Sequence, residues 1–344
     1  MSEQTSHLQR VNHWLATLAS EPTPTMTCGL SAPGFEAVWR IALQAISPQA
    51  LTHAVHMPGT PFQRACIVAA STVCTAPLEW IAVLLARGTQ VTVKHGTETP
   101  GLCSYLVQSA QAFDLPLCAT CDRDAAHHAD LVVAMGSDET IDTLRTTLPN
   151  RTHFLGFGHR FSVAWISKKH PHEEALWQKL ALDIALHDGR GCMSPTVVFT
   201  DVDSQNAMGQ LLTAMRQQAL RLPRGRISDR EAIALRARSS LAKIVGTTQE
   251  QGDAVVHLLP ETHLQWTGLP GAITLCPVDS ASHASRLLQP VARWLSTVGS
   301  NDPSTTPWPA LGNVRLCAPG QMQQPPLVRL HDGVDWLHET MDGS

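Results

Sequence analysis

ACIVAAST (residues 65–72), PLEWIAVLLA (77–86) and TQVTVKHG (89–96) follow one another in the first half of the chain, and GLCSYLVQSAQAF (101–113), ADLVVAMGS (129–137) and DETIDTLRTTL (138–148) continue the series. The first, third and fifth stretches are short, apolar and rich in β-branched residues, as strands buried on both faces are. The others carry helical periodicity, and the helix over 77–86 stops at Arg87-Gly88. Strand and helix alternating three times is the βαβ pattern of a doubly wound parallel sheet. Ligands of such sheets sit outside the carboxyl ends of the strands. Lys94 and the Gly136-Ser137 pair fall at those ends.

Upstream, residues 5–19 and 33–46 read as two amphipathic helices joined by the Pro-rich turn EPTPT. Downstream, a boundary at 149–158 precedes a second α/β series. It runs from the strand FSVAWIS through a helix over 172–187, the turn DGRGCMSP, the strand TVVFT and a helix over 204–220. A polar, Arg-rich stretch (221–238), strands over 254–258 and 272–277 and a helix over 282–297 complete it, before the Pro-rich loop SNDPSTTPWPALG. The expected organisation is an N-terminal helical segment (1–60), a first α/β domain (61–157), a second (158–318) and a C-terminal segment (319–344). No internal repeat is present.

Composition narrows the function classes. At 344 residues the chain is long enough for two domains or one large α/β unit, and 43% hydrophobic with 16% charged residues is the profile of a folded protein. A net charge of −4 and no Lys or Arg block argue against nucleic-acid binding. The longest apolar stretches, 65–70 and 80–86, are far short of the ~20 residues a membrane span needs. MSEQTSHLQR lacks the basic-then-apolar pattern of a signal peptide, so a cytoplasmic location is expected. Nine cysteines, an odd number, then read as reduced thiols rather than a disulfide framework.

The sharpest local feature is Gly191-Cys192-Met193-Ser194-Pro195, where a helix runs into DGRG and Pro195 precedes a strand. Glycine beside a thiol leaves the backbone open to a substrate carbonyl and lets local N–H groups face a developing oxyanion. The bland alternative is one more buried cysteine in a turn. At the end of a strand, Lys94 in KHGTETP faces either a ribose or phosphate or simply solvent. Gly136-Ser137 opens a helix, where free N–H groups and the dipole favour a pyrophosphate; an ordinary Ser at a helix start is the alternative. There is no GxGxxG and no Walker A motif. Cys118-x-x-Cys121 with His127-His128 has metal-like residue types but no standard zinc spacing, so no metal is expected. His187, five residues before Cys192, either raises the thiolate population or is a surface histidine at a helix end.

In the same order along the chain, these pieces resemble the aldehyde dehydrogenase superfamily. KHGTETP is similar to its KPSExTP segment, VAMGSDETI to its TGS-plus-helix element, and GRGCMSP to GQxC; FLGFGHRF sits where ELGGKxP occurs. More specifically, the Cys followed by Ser-Pro and the tail PGQMQQPPLVRLHDGVDWL (319–337) resemble the luminescence-type (LuxC-like) fatty acyl-CoA reductases. The resemblance covers roughly residue 65 to the C-terminus. It implies an aldehyde-dehydrogenase-like α/β fold with a doubly wound NADP-binding domain followed by a catalytic domain bearing a Cys nucleophile.

The resemblance makes Cys192 the acyl-accepting nucleophile. Lys94 would bind the adenosine ribose or 2′-phosphate, and Gly136 and Ser137 would lie by the pyrophosphate. Ser71 stands where the superfamily has an oxyanion-stabilising Asn. Thr97 stands where NAD-preferring relatives have a ribose-binding Glu, and losing that carboxylate removes repulsion toward a 2′-phosphate and favours NADP. Hydrolytic members keep a Glu in the ELGG segment to activate water, yet no acidic residue occurs from Arg151 to Lys169. The implied activity is NADPH-dependent reduction of an acyl-CoA or acyl-carrier thioester, a fatty acyl-CoA first, to an aldehyde. The rivals are a CoA-acylating aldehyde dehydrogenase running oxidatively and a non-catalytic subunit of an acyl-transfer complex. An acyl-activating partner subunit and a homo-oligomer are also implied by the family.

Overall fold

A five-stranded, all-parallel sheet organises the first of two units in the computed structural model, which describes residues 3–70, 72–96, 100–169, 174–302 and 308–341. That unit comprises Met1–Cys28, Val38–His159 and Pro325–Ser344; the second comprises Gly29–Ala37 and Arg160–Gln324. In the first, β1 (Arg64–Val68), β2 (Gln90–Lys94), β3 (Leu117–Thr120), β4 (Leu131–Met135) and β5 (His153–Phe157) lie in the order β3-β2-β1-β4-β5. The order reverses direction at β1. In such a doubly wound arrangement the switch point lies at the carboxyl ends of the paired strands β1 and β4, from which the chain runs on toward opposite edges of the sheet.

Six helices precede or connect these strands: α1 (Glu3–Ser20), α2 (Ala32–Ala45), α3 (Pro48–Val55), α4 (Pro77–Ala86), α5 (Pro100–Gln111) and α6 (Asp138–Thr147). Every residue of α4 except Glu79 is buried. A helix apolar on all sides belongs in an interior, and α4 packs beside α1, α3, β1 and β2. It ends at Gly88, whose φ of +89° suits glycine. Helix α3 was not expected from the two-helix reading of residues 1–60. It is announced by the Ser47 side chain, which accepts from the Ala50 N–H, and by Pro48 in its first turn.

The second unit holds β6 (Phe161–Ile166), β7 (Pro195–Thr200), β8 (Thr247–Gln251), β9 (Ala254–Leu258), β10 (Ala272–Pro277), β11 (Leu295–Ser300) and β12 (Arg315–Cys317), ordered β12-β11-β6-β7-β10-β9-β8. Among the described strands of this sheet only β8 pairs antiparallel. The period of two along β6 splits its side chains between two cores. Ala164 and Ile166 join the core under α7 (Glu174–Ala185) and α8 (Ser204–Arg221), with Leu180, Ile184, Leu211 and Met215. Phe161, Val163 and Trp165 join the other, with Ala284 and Leu288 of α10 (Ala281–Leu288). Each such large apolar side chain contributes roughly 1.5–3 kcal/mol by leaving water.

Two expectations are corrected here. The Arg-rich stretch 221–238 runs into a helix, α9 (Asp229–Val245), started by a capping box in which Ser228 and Glu231 bond reciprocally. Only Arg238 and Ala242 of α9 are buried, so it lacks the apolar stripe that betrays a helix. The helix expected over 282–297 ends at Leu288, and a 3₁₀ turn carrying Pro290 leads into β11, which pairs with β6. Proline removes a helical donor there, and LSTVGS supplies strand-forming residues.

Candidate active site

Cys192 is delivered by an unusual piece of backbone. After α7, His187 (φ 54°), Asp188 (φ 54°) and Gly189 (φ 69°) adopt the left-handed conformation in succession. That conformation costs an ordinary residue about 1–2 kcal/mol, so the surroundings must impose it. Asp188 Oδ2 accepts from Arg190 Nη1 at 2.8 Å and from the Gly225 N–H at 3.1 Å. Arg190 Nε in turn donates to Glu231 at 2.6 Å, tying the turn to α9. Strained backbone of this kind gathers at active sites, which makes Cys192 a candidate functional residue.

The next turn presents the thiol. The Ser194 N–H donates to the Gly191 carbonyl at 2.9 Å, closing residues 191–194. The Cys192 carbonyl accepts from Ser162 Oγ at 2.7 Å, and that hydroxyl accepts from the Thr297 N–H at 3.1 Å, so β6 and β11 hold the turn from the sheet. Cys192 is half-buried. Burial pushes Cys66, Cys103 and Cys317 up to about 11 and Cys276 up to about 12, which disfavours their thiolates. The Cys28 thiol is lowered, chiefly by a hydrogen bond from Cys74, which is raised. Cys118 and Cys121 are exposed, and no metal-binding group of three or more ligands forms among the described residues.

The expectation of His187 as a surface histidine is overturned: its ring is buried, and burial lowers it to about 4. It is therefore neutral near pH 7 and supplies no positive charge to a thiolate. Its Nδ1 lacks a hydrogen bond among the described residues.

Sequence reasoning missed the side chains that brace the Cys192 turn. Gln323 Nε2 donates to Ser194 Oγ at 2.7 Å and to the Asp183 carbonyl at 3.2 Å. The Asp183 carboxylate accepts from the N–H groups of Gly320 (2.5 Å) and Met322 (3.1 Å). Burial pushes Asp183 up to about 7, against the pull of those amides and of Arg315. Arg315 donates to the Gln321 carbonyl at 3.3 Å and also to that of Met322. The available signals were an acid in the apolar run LALDIAL and the amide-rich GQMQQ segment.

The candidate cofactor residues belong to the first unit. Ser71 and Thr97 lie outside the described residues. Lys94 closes β2; Val68 of β1 pairs with Lys94 on one side and Ala134 of β4 on the other. Strands pack about 4.8 Å apart, so Lys94 and the start of the Gly136-Ser137 turn flank β1 across roughly 10 Å at one sheet edge. No carboxylate among the described residues pairs with Lys94. Ser137 caps α6: its Oγ accepts from the Thr140 N–H at 3.2 Å. The Gly136 N–H donates to the Phe157 carbonyl at 3.2 Å. The groups left for an anion are the first-turn N–H groups of α6, which have no intrahelical acceptor. Asp138 and Glu139 sit in that turn, and Asp138 Oδ1 accepts from the His159 N–H at 2.7 Å. A half-buried cation with no carboxylate partner among the described residues, on the same sheet edge as a helix start, is a candidate site for a phosphate-bearing dinucleotide.

Comparison with known proteins agrees with this architecture. The family model described as acyl-CoA reductase (LuxC) matches residues 119–341, well over half of the chain. No curated protein matches. Among solved structures, aldehyde dehydrogenase 21 from Physcomitrella patens, in complex with the reaction product succinate, superposes with a TM-score of 0.75 at 12% identity, over 98% of this chain and 84% of that one. The NAD-dependent benzaldehyde dehydrogenase of Corynebacterium glutamicum gives 0.71 at 13% identity, over 94% and 83%. A Mycobacterium tuberculosis aldehyde dehydrogenase complexed with NAD+ gives 0.71 at 11%, over 92% and 77%. The fold is thus that of the aldehyde dehydrogenases.

Proposed function

The chain belongs to the acyl-CoA reductase (LuxC) family, and on that premise we propose that it reduces an acyl thioester, a fatty acyl-CoA first among candidates, to the aldehyde with NADPH. The observation that carries the reading is the half-buried Cys192 on a turn fixed by strained backbone and by side chains from the sheet and the C-terminal segment.

The Cys192 thiolate attacks the thioester carbonyl. The bond to the CoA sulfur breaks, CoA leaves as its thiolate and takes a proton from water, and the acyl group rests on Cys192. The Cys192 N–H and Ser71 are the proposed donors to the oxyanion. Lys94 is the proposed partner of the 2′-phosphate or ribose, with Gly136 and Ser137 by the pyrophosphate and Thr97 admitting the 2′-phosphate. When bound, the nicotinamide supplies the hydride that reduces the acyl carbon. Collapse of the resulting hemithioacetal frees the aldehyde and restores the Cys192 thiolate. No acidic residue lies between Arg151 and Lys169 to activate water, which supports a thioester that persists until reduction. Every step is reversible, so the oxidative CoA-acylating direction uses the same residues. A thioester carried on a protein arm is a further donor of the same chemistry.

The test is NADPH oxidation at 340 nm against a series of acyl-CoAs, for wild type and Cys192→Ala. The expected result is a thioester-dependent signal that the substitution abolishes, with the best chain length defining the substrate. No turnover, together with alkylation of Cys192 no faster than that of the other thiols, would favour the non-catalytic subunit.

A further inference from the structure

We propose that Gln323 is a positioning residue for Cys192: its side-chain amide locks the turn that presents the thiol. The inference rests on the reading of Cys192 as acyl acceptor. Gln323 bonds one end of that turn and lines the space beside the other. Its Nε2 donates to Ser194 Oγ at 2.7 Å, and its Oε1 stands 3.6 Å from where a Cβ on Gly191 would lie. Ser194 is fully buried and its own N–H closes the turn on Gly191, so fixing its hydroxyl fixes the residues on either side of Cys192.

The amide is itself held. Its second donor interaction goes to the Asp183 carbonyl, so Nε2 has no proton to spare for another orientation. The backbone that carries it is clamped at Gly320 and Met322 by the Asp183 carboxylate, and at Gln321 and Met322 by Arg315. Met322 is fully buried against Gly299, where a Cβ would lie 2.6 Å from its Sδ. Arg315 Nη2 also reaches Met193 Sδ, next to Cys192, at 3.9 Å. Ser162 grips the Cys192 carbonyl from the sheet. The turn is therefore pinned from two directions by residues more than a hundred positions apart. Such long-range fixing serves the thiol's position rather than local folding. Attack on a carbonyl needs the sulfur in near-attack geometry, and about 1 Å of misplacement costs on the order of 100-fold in rate.

The test uses the full-length protein and two variants, Gln323→Met, which keeps length without a donor, and Ser194→Ala, which removes the acceptor. Three quantities are read: single-turnover acylation of Cys192 by acyl-CoA, followed by mass spectrometry; amide hydrogen exchange of the peptide spanning residues 190–195; and Tm. Each single variant is expected to acylate about 10–100-fold more slowly, with the KM for acyl-CoA changed less than threefold. The double variant should be no slower than the worse single one. Exchange in the turn should rise about tenfold, with Tm within a few degrees of wild type. Wild-type acylation rates in both variants, unchanged exchange in the turn, or rate losses that merely follow the unfolded fraction would overturn the proposal. If Gln323→Met fails to fold, Ser194→Ala decides by the same criteria. A wild-type protein that takes no acyl group at Cys192 would instead defeat the underlying functional reading.

Discussion

Asp183 and Glu79 are both carboxylates shielded from water that grip the C-terminal segment, Asp183 at residues 320–322 in the second unit and Glu79 at Arg329 and His331 in the first. Asp183 is met by backbone amides, and burial pushes it up to about 7. Burial would raise Glu79 as well, but the Arg329 charge and the hydrogen bonds from His331 and Arg329 outweigh it and hold the carboxyl near 2. Arg329 bonds Glu79 bidentately, both distances 2.8 Å, and His331 packs against the rings of Trp80 and Phe157. One carboxylate is thus a permanent anchor, the other an anchor whose charge is in play at neutral pH. The permanent one secures the tail; the titratable one sits under the loop that braces Cys192.

The largest way to break this contrast is Glu79→Gln, which takes from Arg329, its side chain 8% exposed, the carboxylate that bonds it at two points. Urea unfolding should show a loss of about 3–5 kcal/mol. Arg329→Lys keeps the charge but not the two-point geometry, and should cost about 1–3 kcal/mol in the same experiment.

Asp183→Asn sharpens the contrast through pH. A carboxylate raised by folding contributes stability that is fully present below its unfolded value of 3.8 and is lost as pH rises through about 7. Glu79, lowered by folding, contributes stability that is present above 4.5 and is lost only as pH falls through about 2. Between pH 5 and 8 the Glu79 contribution should stay level while the Asp183 contribution declines. Wild type should therefore lose on the order of 2–3 kcal/mol relative to Asp183→Asn across that range, and equal slopes would remove the distinction. As a solvated control, Asp142→Asn opposite Arg145, both well exposed, should shift stability by about 0.5 kcal/mol or less.

The parallel sheet of the first unit was legible because its strands and helices differ in period and its strands are continuous β-branched runs. Helix α9 was not, since its apolar residues do not gather on one buried face, Ile233 and Ile244 facing solvent, and only the Ser228–Glu231 cap marks its start. Strand β11 was masked by a preceding helical pattern whose break, Pro290, sits one turn before it. At the site, Cys192 stood out through its glycine and Ser-Pro neighbours. Its supports did not: Ser162 lies in a strand 30 residues upstream and Gln323 about 130 downstream, and no local spacing records a contact formed only when the sheet closes. The burial of His187 likewise depends on left-handed backbone at two non-glycine residues, which composition does not announce.

The most direct measurement is intact-protein mass spectrometry after mixing with acyl-CoA in the absence of NADPH, with peptide mapping of any adduct. One acyl group per chain on Cys192, discharged as aldehyde when NADPH is added and absent from Cys192→Ala, is the expected result. No adduct, or an adduct that persists in Cys192→Ala on an exposed thiol such as Cys118 or Cys121, would contradict the assignment of Cys192 as the acyl carrier.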